Sequence, residues 1–118
     1  MAVERFEDLE VWQEAMTLTT SLYKELKDCR NFSLRDQIQR SAVSIASNIA
    51  EGFERKSNKE FIQHLYIAKG SCGELRTQLY LCKELNIIDK TNLPEMLEQT
   101  RKISAKLVKL IRTRSERF

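Results

Sequence analysis

Residues 58–85 read NKEFIQHLYIAKGSCGELRTQLYLCKEL, and this stretch decides the fold class. Its apolar residues recur at alternating steps of four and three, which is the spacing of one face of an α-helix. They are Phe61, Leu65, Ala68, Cys72, Leu75, Leu79 and Cys82. Ser57, followed three residues later by Glu60, matches the capping box that commonly begins a helix. The stretch therefore predicts one long amphipathic helix.

Three further segments show the same period. Asp8 is placed to cap the first, Ser33 with Asp36 to begin the second, and Pro94 falls in the first turn of the fourth. The predicted helices span about 8–29, 34–54, 58–85 and 93–114. With three Gly and one Pro in 118 residues, the chain lacks the turn residues of an all-β fold. The sequence predicts a single domain over 1–118, an all-α, antiparallel, up-down-up-down four-helix bundle.

Helices one and three each carry a second apolar stripe beside the one assigned to the core. In helix one the predicted core stripe is Leu9, Trp12, Met16, Thr19, Tyr23 and Leu26. The second stripes consist of Val11, Leu18 and Leu22 in helix one and of Ile62, Tyr66 and Tyr80 in helix three. Two hypotheses fit them, flank packing inside one subunit or burial in a self-associated ring of subunits. A homo-oligomer interface is the sharper prediction.

The residues expected of an enzyme are missing from the sequence. His64 is the single histidine, so a histidine-rich metal site cannot be assembled in one chain, and its spacing from Glu60 indicates an ordinary surface pair. The chain has no P-loop, GxGxxG or GxSxG motif. Cys29, Cys72 and Cys82 form no CxxC pair and are expected to be core thiols. We expect no enzyme, no cofactor and no metal.

The predicted location follows from the same composition. No run approaches the roughly 18 apolar residues that span a bilayer, and residues 1–8 contain no signal-peptide core. The odd number of cysteines suits a reducing compartment. We therefore expect a cytoplasmic protein with no membrane contact.

Charge is divided unevenly along the chain. Residues 1–28 hold seven acids and three bases, a net charge of −4, while residues 101–117 hold seven bases and one acid, a net charge of +6. Five of the bases fall within an arc of about 140° on helix four. They are Arg101, Lys102, Lys106, Lys109 and Arg112. Such a face predicts contacts with RNA or DNA phosphates. The alternatives are a solvated face, pairing with the acidic helix one of a neighbour, or a membrane surface.

Asn48 lies next to the apolar line of helix two and needs hydrogen-bond partners if it is buried. One interpretation makes it a structural amide that bonds across the bundle. The other places it in a functional pocket with Arg40 and Glu51. The sequence favours the structural role.

Three stretches carry a resemblance to a known family. They are residues 6–15 (FEDLEVWQEA), 37–52 (QIQRSAVSIASNIAEG) and 67–75 (IAKGSCGEL). In this order they resemble the "four helix bundle protein" family, also called the 23S ribosomal RNA intervening-sequence protein family. Its members are encoded in intervening sequences of bacterial ribosomal RNA genes and elsewhere in bacterial genomes. The resemblance implies the same four-helix fold.

The family is also similar to the accessory variability protein of diversity-generating retroelements, a basic pentameric ring that binds nucleic acid. That likeness implies a homopentamer in which the five basic residues of helix four contact RNA or DNA. Our expectation is a non-enzymatic, self-associating bacterial bundle. The rival hypothesis is a structural or protein-interaction scaffold that binds no nucleic acid and has another protein as its partner.

Overall fold

The computed structural model describes residues 3–88 and 91–118, and within them the chain is all-α. A short 3-10 turn at Phe6–Asp8 precedes four α-helices. The helices are α1 (Glu10–Glu25), α2 (Phe32–Glu54), α3 (Asn58–Leu85) and α4 (Leu93–Arg117). The molecule is an elongated rod measuring 45 × 21 × 20 Å. The predicted all-α fold class is confirmed.

The ends of α3 follow the sequence signals closely. The Ser57 side chain accepts a hydrogen bond from the backbone N–H of Glu60 at 3.2 Å, as the capping box predicts. Asn86 ends the helix in the left-handed conformation, with a φ of 55°. Asparagine tolerates this conformation better than most residues. Asp89 and Lys90, in the predicted connection to α4, lie outside the described residues.

Other helix ends differ from the prediction. The Asn31 side chain caps α2 by accepting from the N–H of Leu34, so Ser33 lies inside the first turn and is not the cap. Asp8 belongs to the 3-10 turn, and Leu9 precedes α1 instead. Helix α1 ends at Glu25 and α4 continues to Arg117, a few residues from the predicted ends. The small offsets leave the helix order unchanged.

Hydrogen bonds between helices give their directions. Ser41 donates to Glu74 at 2.9 Å, and the hydroxyls of Ser44 and Ser71 lie 2.8 Å apart. The partner's number falls as the residue's number rises, so α2 and α3 run antiparallel. The same reversal occurs in the pairs Asn58–Arg114 and Cys72–Thr100 between α3 and α4, and in Glu14–Lys106 and Glu25–Asn92 between α1 and α4. Helices α1 and α2 are then antiparallel as well.

The four seams are packed unequally. Helix α2 contacts α3 most extensively and α1 contacts α4 least, while the diagonal pairs do not meet within the described residues. The close α2–α3 approach depends on Gly52, where an added Cβ would lie 2.5 Å from the Cβ of His64. The small residues Ser41 and Ser44 of α2 also face α3, where their hydroxyls contact Glu74 and Ser71. The bundle is therefore built on a tight α2–α3 pair.

The core lies along the bundle axis and corrects the prediction for α1. Val11, Leu18 and Leu22 are 4%, 1% and 0% exposed, so they cannot form an oligomer interface as predicted. Met16 and Tyr23, which the sequence assigned to the core, are 42% and 46% exposed. The physical reason is that the aliphatic stripe can be buried completely, whereas a tyrosine needs a partner for its hydroxyl. The interface prediction for Ile62, Tyr66 and Tyr80 is unaffected, since both tyrosines are exposed and Ile62 is half-buried.

All three cysteines are free thiols. Cys72 and Cys82 are buried, as expected of core residues, and Cys29 is half-buried. Burial raises the pKa of the Cys72 and Cys82 thiols to about 11 each. These two thiols are therefore protonated and inert at neutral pH.

Candidate nucleic-acid interface

The five predicted basic residues of α4 divide between its two neighbours. Lys102 and Lys109 line depressions between α1 and α4. Arg101 and Arg112 point the other way, toward α3. The sequence placed all five on one face of α4, and the structure shows that this face meets acidic α1 on one side and α3 on the other.

Lys106 is held by the acidic helix of its own chain. Its ammonium group donates to Glu10 and, at 2.7 Å, to Glu14. These hydrogen bonds raise the pKa of Lys106, and the bond from Lys106 lowers the pKa of Glu10. The contact of Lys106 with phosphate stays a prediction, and it would require both carboxylates to be displaced first. The predicted pairing between α4 and acidic α1 does occur, but within one subunit.

On its other side, α4 presents arginines beside tyrosines from α3. Arg101 donates to the Tyr80 hydroxyl at 2.7 Å and also makes a 3.4 Å ion pair with Glu98. Arg112 shares a depression of about 390 Å³ with Tyr66 and Lys69. The sequence of α4 alone contains no aromatic residue among its bases, and the aromatic rings here come from the neighbouring helix.

Helix α3 adds two more cations to this surface. Lys69 and Arg76 lie close enough to the α4-facing thiol of Cys72 to act against the rise in its pKa. Within the described residues, neither Lys69, Arg76 nor Arg112 takes part in an ion pair. Glu74 points away and accepts from Ser41 of α2. We call the resulting surface the α3–α4 face, defined by Tyr66, Lys69, Arg76, Tyr80, Arg101 and Arg112.

Asn48 belongs to a polar ladder between α2 and α3. Its Nδ2 donates to the Ser44 carbonyl at 2.9 Å, which leaves its Oδ1 to face His64 Nδ1 at 3.0 Å. His64 Nδ1 is then the donor, because an amide oxygen can only accept. His64 Nε2 lies 3.3 Å from Glu51, and Glu51 also pairs with Arg55 at 2.9 Å.

These contacts correspond to the structural interpretation of Asn48. Asn48 and Arg40 do line one open groove on the outside of α2, but Glu51 is not part of it. The predicted surface pair between His64 and Glu60 does not form, since His64 turns toward α2 instead. Sequence spacing within one helix could not show a partner on the next helix.

Two kinds of feature do not occur in the described part of the chain, a metal-binding cluster and a membrane-spanning helix. No cluster of three or more His, Cys, Asp or Glu side chains there is arranged to hold a metal ion. None of its helices is long and apolar enough to cross a bilayer.

The oxygens Glu14 Oε2 and Gln99 Oε1 are buried without a protein donor, and both residues line the depression between α1 and α4. Bound water commonly satisfies such atoms.

Comparisons with known proteins agree with this architecture. A family model described as 23S rRNA-intervening sequence protein matches residues 7–109. A 1.70 Å crystal structure of a protein with unknown function, from the S23 ribosomal protein family of Bacteroides thetaiotaomicron VPI-5482, superposes with a TM-score of 0.80. It is 26% identical in sequence, and the alignment covers 86% of this chain and 97% of that one. A comparison with curated proteins gave no match.

Proposed function

The chain belongs to the family of 23S rRNA-intervening sequence proteins, and on that premise we propose that it binds nucleic acid through the α3–α4 face. The observation that carries the proposal is the meeting of Lys69, Arg76, Arg101 and Arg112 on one side of the molecule. Among the described residues, these four cations make one ion pair, between Arg101 and Glu98. Cations without protein partners can replace the counterions of a phosphate backbone.

The opposite side of α4 explains why the protein would bind in one orientation. There Lys102, Lys106 and Lys109 lie beside Glu10 and Glu14, so their three positive charges are reduced to a net of +1. A polyanion approaching α4 would be attracted more strongly to the α3 flank than to the α1 flank. The nucleic-acid contacts expected of Arg101 and Arg112 are therefore retained in the proposal, and Lys69 and Arg76 are added to them.

A charge-matched pair of variants tests the proposal. Lys69→Glu with Arg112→Glu reverses two charges on the α3–α4 face, and Lys102→Glu with Lys109→Glu reverses two on the α1 flank. Fluorescence anisotropy with labelled RNA and DNA at increasing salt should show linear log–log weakening for the wild type. We expect the first variant to lose binding and the second to keep most of it. Equal losses would contradict the assignment to this face, and a wild type that binds neither ligand would disprove the function.

We propose self-association as a second property, through the α1–α2 flank and not through Tyr66 and Tyr80, which belong to the α3–α4 face. Met16, Tyr23 and Val43 are between 42% and 46% exposed on the α1–α2 flank, and Tyr23 and Val43 line the same groove. Exposed apolar patches on soluble proteins often mark the surfaces at which proteins associate. The homopentamer implied by the family likeness is the stoichiometry to test.

Light scattering after size exclusion measures the mass directly. We expect a multiple of the 13.8 kDa chain for the wild type, and a return to 13.8 kDa for Met16→Glu with Val43→Glu. A wild-type mass of 13.8 kDa would refute self-association. An oligomer that retains neither RNA nor DNA would instead support the scaffold hypothesis.

A further inference from the structure

The two tyrosines of the α3–α4 face have matching surroundings. Tyr66 is followed one turn later by Lys69, and Arg112 of α4 lies in the same depression. Both cations are placed to contact the phosphate of a nucleotide whose base would stack on the ring. This gives one aromatic ring with a cation from each of the two helices.

The second tyrosine repeats the arrangement near the other end of the face. Tyr80 is preceded one turn earlier by Arg76, and Arg101 of α4 donates to its hydroxyl. The hydrogen bond holds the tyrosine side chain at its tip. Two similar units thus lie along one seam.

Both rings remain open to solvent. The Tyr66 side chain is 57% exposed and that of Tyr80 is 42% exposed. By contrast, Phe61 on the same helix is buried and packs edge-on against Phe53 at 5.6 Å. Aromatic rings that remain exposed beside cations are the usual elements of a surface on which nucleic-acid bases stack.

The backbone between the tyrosines is also open. A Cβ added at Gly70 or Gly73 would meet no heavy atom within 4 Å, whereas one at Gly52 would collide with His64. Packing within the chain therefore explains Gly52 but not the other two glycines. On a face already lined by rings and cations, the missing side chains leave room for a flat ligand to approach the helix.

We infer that the α3–α4 face binds single-stranded nucleic acid, with one base stacked on Tyr66 and a second on Tyr80; this rests on the proposed function. In a duplex the base faces are covered by neighbouring pairs and only the edges are accessible. The tyrosines are 14 residues apart on one helix, about 21 Å at 1.5 Å per residue. This distance corresponds to about six stacked nucleotides at 3.4 Å each, and to fewer in an extended strand.

The test compares a labelled 12-nucleotide pyrimidine-rich RNA with the same strand in a blunt duplex, by fluorescence anisotropy at constant low salt. We expect the wild type to bind the single strand more tightly. Tyr66→Ala and Tyr80→Ala should each weaken single-strand binding by about 5-fold to 100-fold and change duplex binding less than about twofold. Tyr66→Phe should retain the affinity, because the ring is preserved. When the titrations are repeated at increasing salt, the tyrosine variants should show the same log–log slope as the wild type.

Phe32→Ala is the matched control. Phe32 is a 59% exposed aromatic residue with Arg35 over its ring, but it lies on α2, which does not contact α4 within the described residues. Its replacement should leave both affinities unchanged. Circular dichroism verifies that each variant is folded.

Photo-crosslinking of 5-iodouracil RNA to the unmodified protein gives an independent result. Adducts at Tyr66 and Tyr80 support the inference, and adducts confined to Tyr23 overturn it. Equal single-strand and duplex affinities that no tyrosine variant changes would overturn it while leaving the proposed function intact. Failure of the wild type to bind either ligand would instead remove the proposed function itself.

Discussion

The closest approach between two helices gives the sharpest stability prediction. Replacing Gly52 by alanine would put a Cβ 2.5 Å from the Cβ of His64 and 3.1 Å from Phe61 Cδ1. Neither obstacle is the flexible end of a side chain, so α2 and α3 would have to separate. Overpacking of this kind costs up to about 3 kcal/mol, and the better helix propensity of alanine returns about 1 kcal/mol. We expect a net loss of about 2 kcal/mol.

Gly70 and Gly73 provide controls with the opposite sign. An added Cβ meets nothing within 4 Å at either position, so only the helix-propensity gain remains. Each Gly→Ala change should raise the free energy of unfolding by about 1 kcal/mol. The same chemical substitution on two neighbouring helices should thus destabilise at one position and stabilise at two.

Urea unfolding followed by circular dichroism at 222 nm measures all three variants. In a thermal unfolding experiment on a chain of this size, a loss of 2 kcal/mol corresponds to a melting temperature about 6 to 10 °C lower. The three variants should keep the wild-type denaturant slope, since the surface exposed on unfolding is unchanged. A Gly52→Ala protein as stable as the wild type would refute the close α2–α3 approach from which the magnitude was worked.

Three further predictions concern the core, an ion pair and the thiols. Leu22→Ala should lower the free energy of unfolding by about 2 to 5 kcal/mol in urea titrations, because it removes a fully buried side chain; a near-neutral result would restore the interface assignment. The ion pair between Glu10 and Lys106 lowers the pKa of Glu10 from its ordinary value of 4.5 and raises the pKa of Lys106. The stabilisation by this pair is therefore present near neutral pH. It is lost as the pH falls through the lowered pKa or rises through the raised one. Lys106→Met should therefore reduce the melting temperature at pH 7 but not at pH 2, and equal reductions at both would contradict the pairing. Ellman's reagent at pH 8 should label one thiol rapidly in the native protein, since burial raises the pKa of Cys72 and Cys82 to about 11; three fast equivalents would contradict their burial.

The pattern of apolar residues was sufficient to predict the helices but not their rotation. The α3 stripe and its Ser57 cap are found where the spacing places them. In α1, two stripes of similar hydrophobicity lie side by side, and the spacing alone favours the one with Trp12 and Tyr23 as the core. Ala15 belongs to the stripe that is buried, at 1% exposure, and its small side chain permits a close contact with the neighbouring helices. Which of the two stripes is buried depends on the faces that the other helices offer to α1. That information is not contained in the α1 sequence.

The candidate site was predicted for one helix of the two. Charge counting on α4 identified Arg101 and Arg112, but it could not separate them from Lys106, whose carboxylate partners come about 90 residues earlier in the chain. Tyr66 and Tyr80 were identified as surplus apolar residues. Their position beside the arginines depends on which helix packs against α4. A helical wheel of α3 drawn against that of α4 would have shown the pairing.

The weak α1–α4 seam has a consequence for the order in which the bundle assembles. It is the only seam in the described structure that joins helices not consecutive in the chain, and its Glu14–Lys106 contact closes a loop of 92 residues. The contact of Ser44 with Ser71, which joins consecutive helices, closes a loop of 27 residues. Because the entropy lost on closure grows with loop length, the α1–α4 seam should close after the seams between consecutive helices. The native bundle would then open first along the α1–α4 seam, while the surface made by α3 and α4 stays assembled.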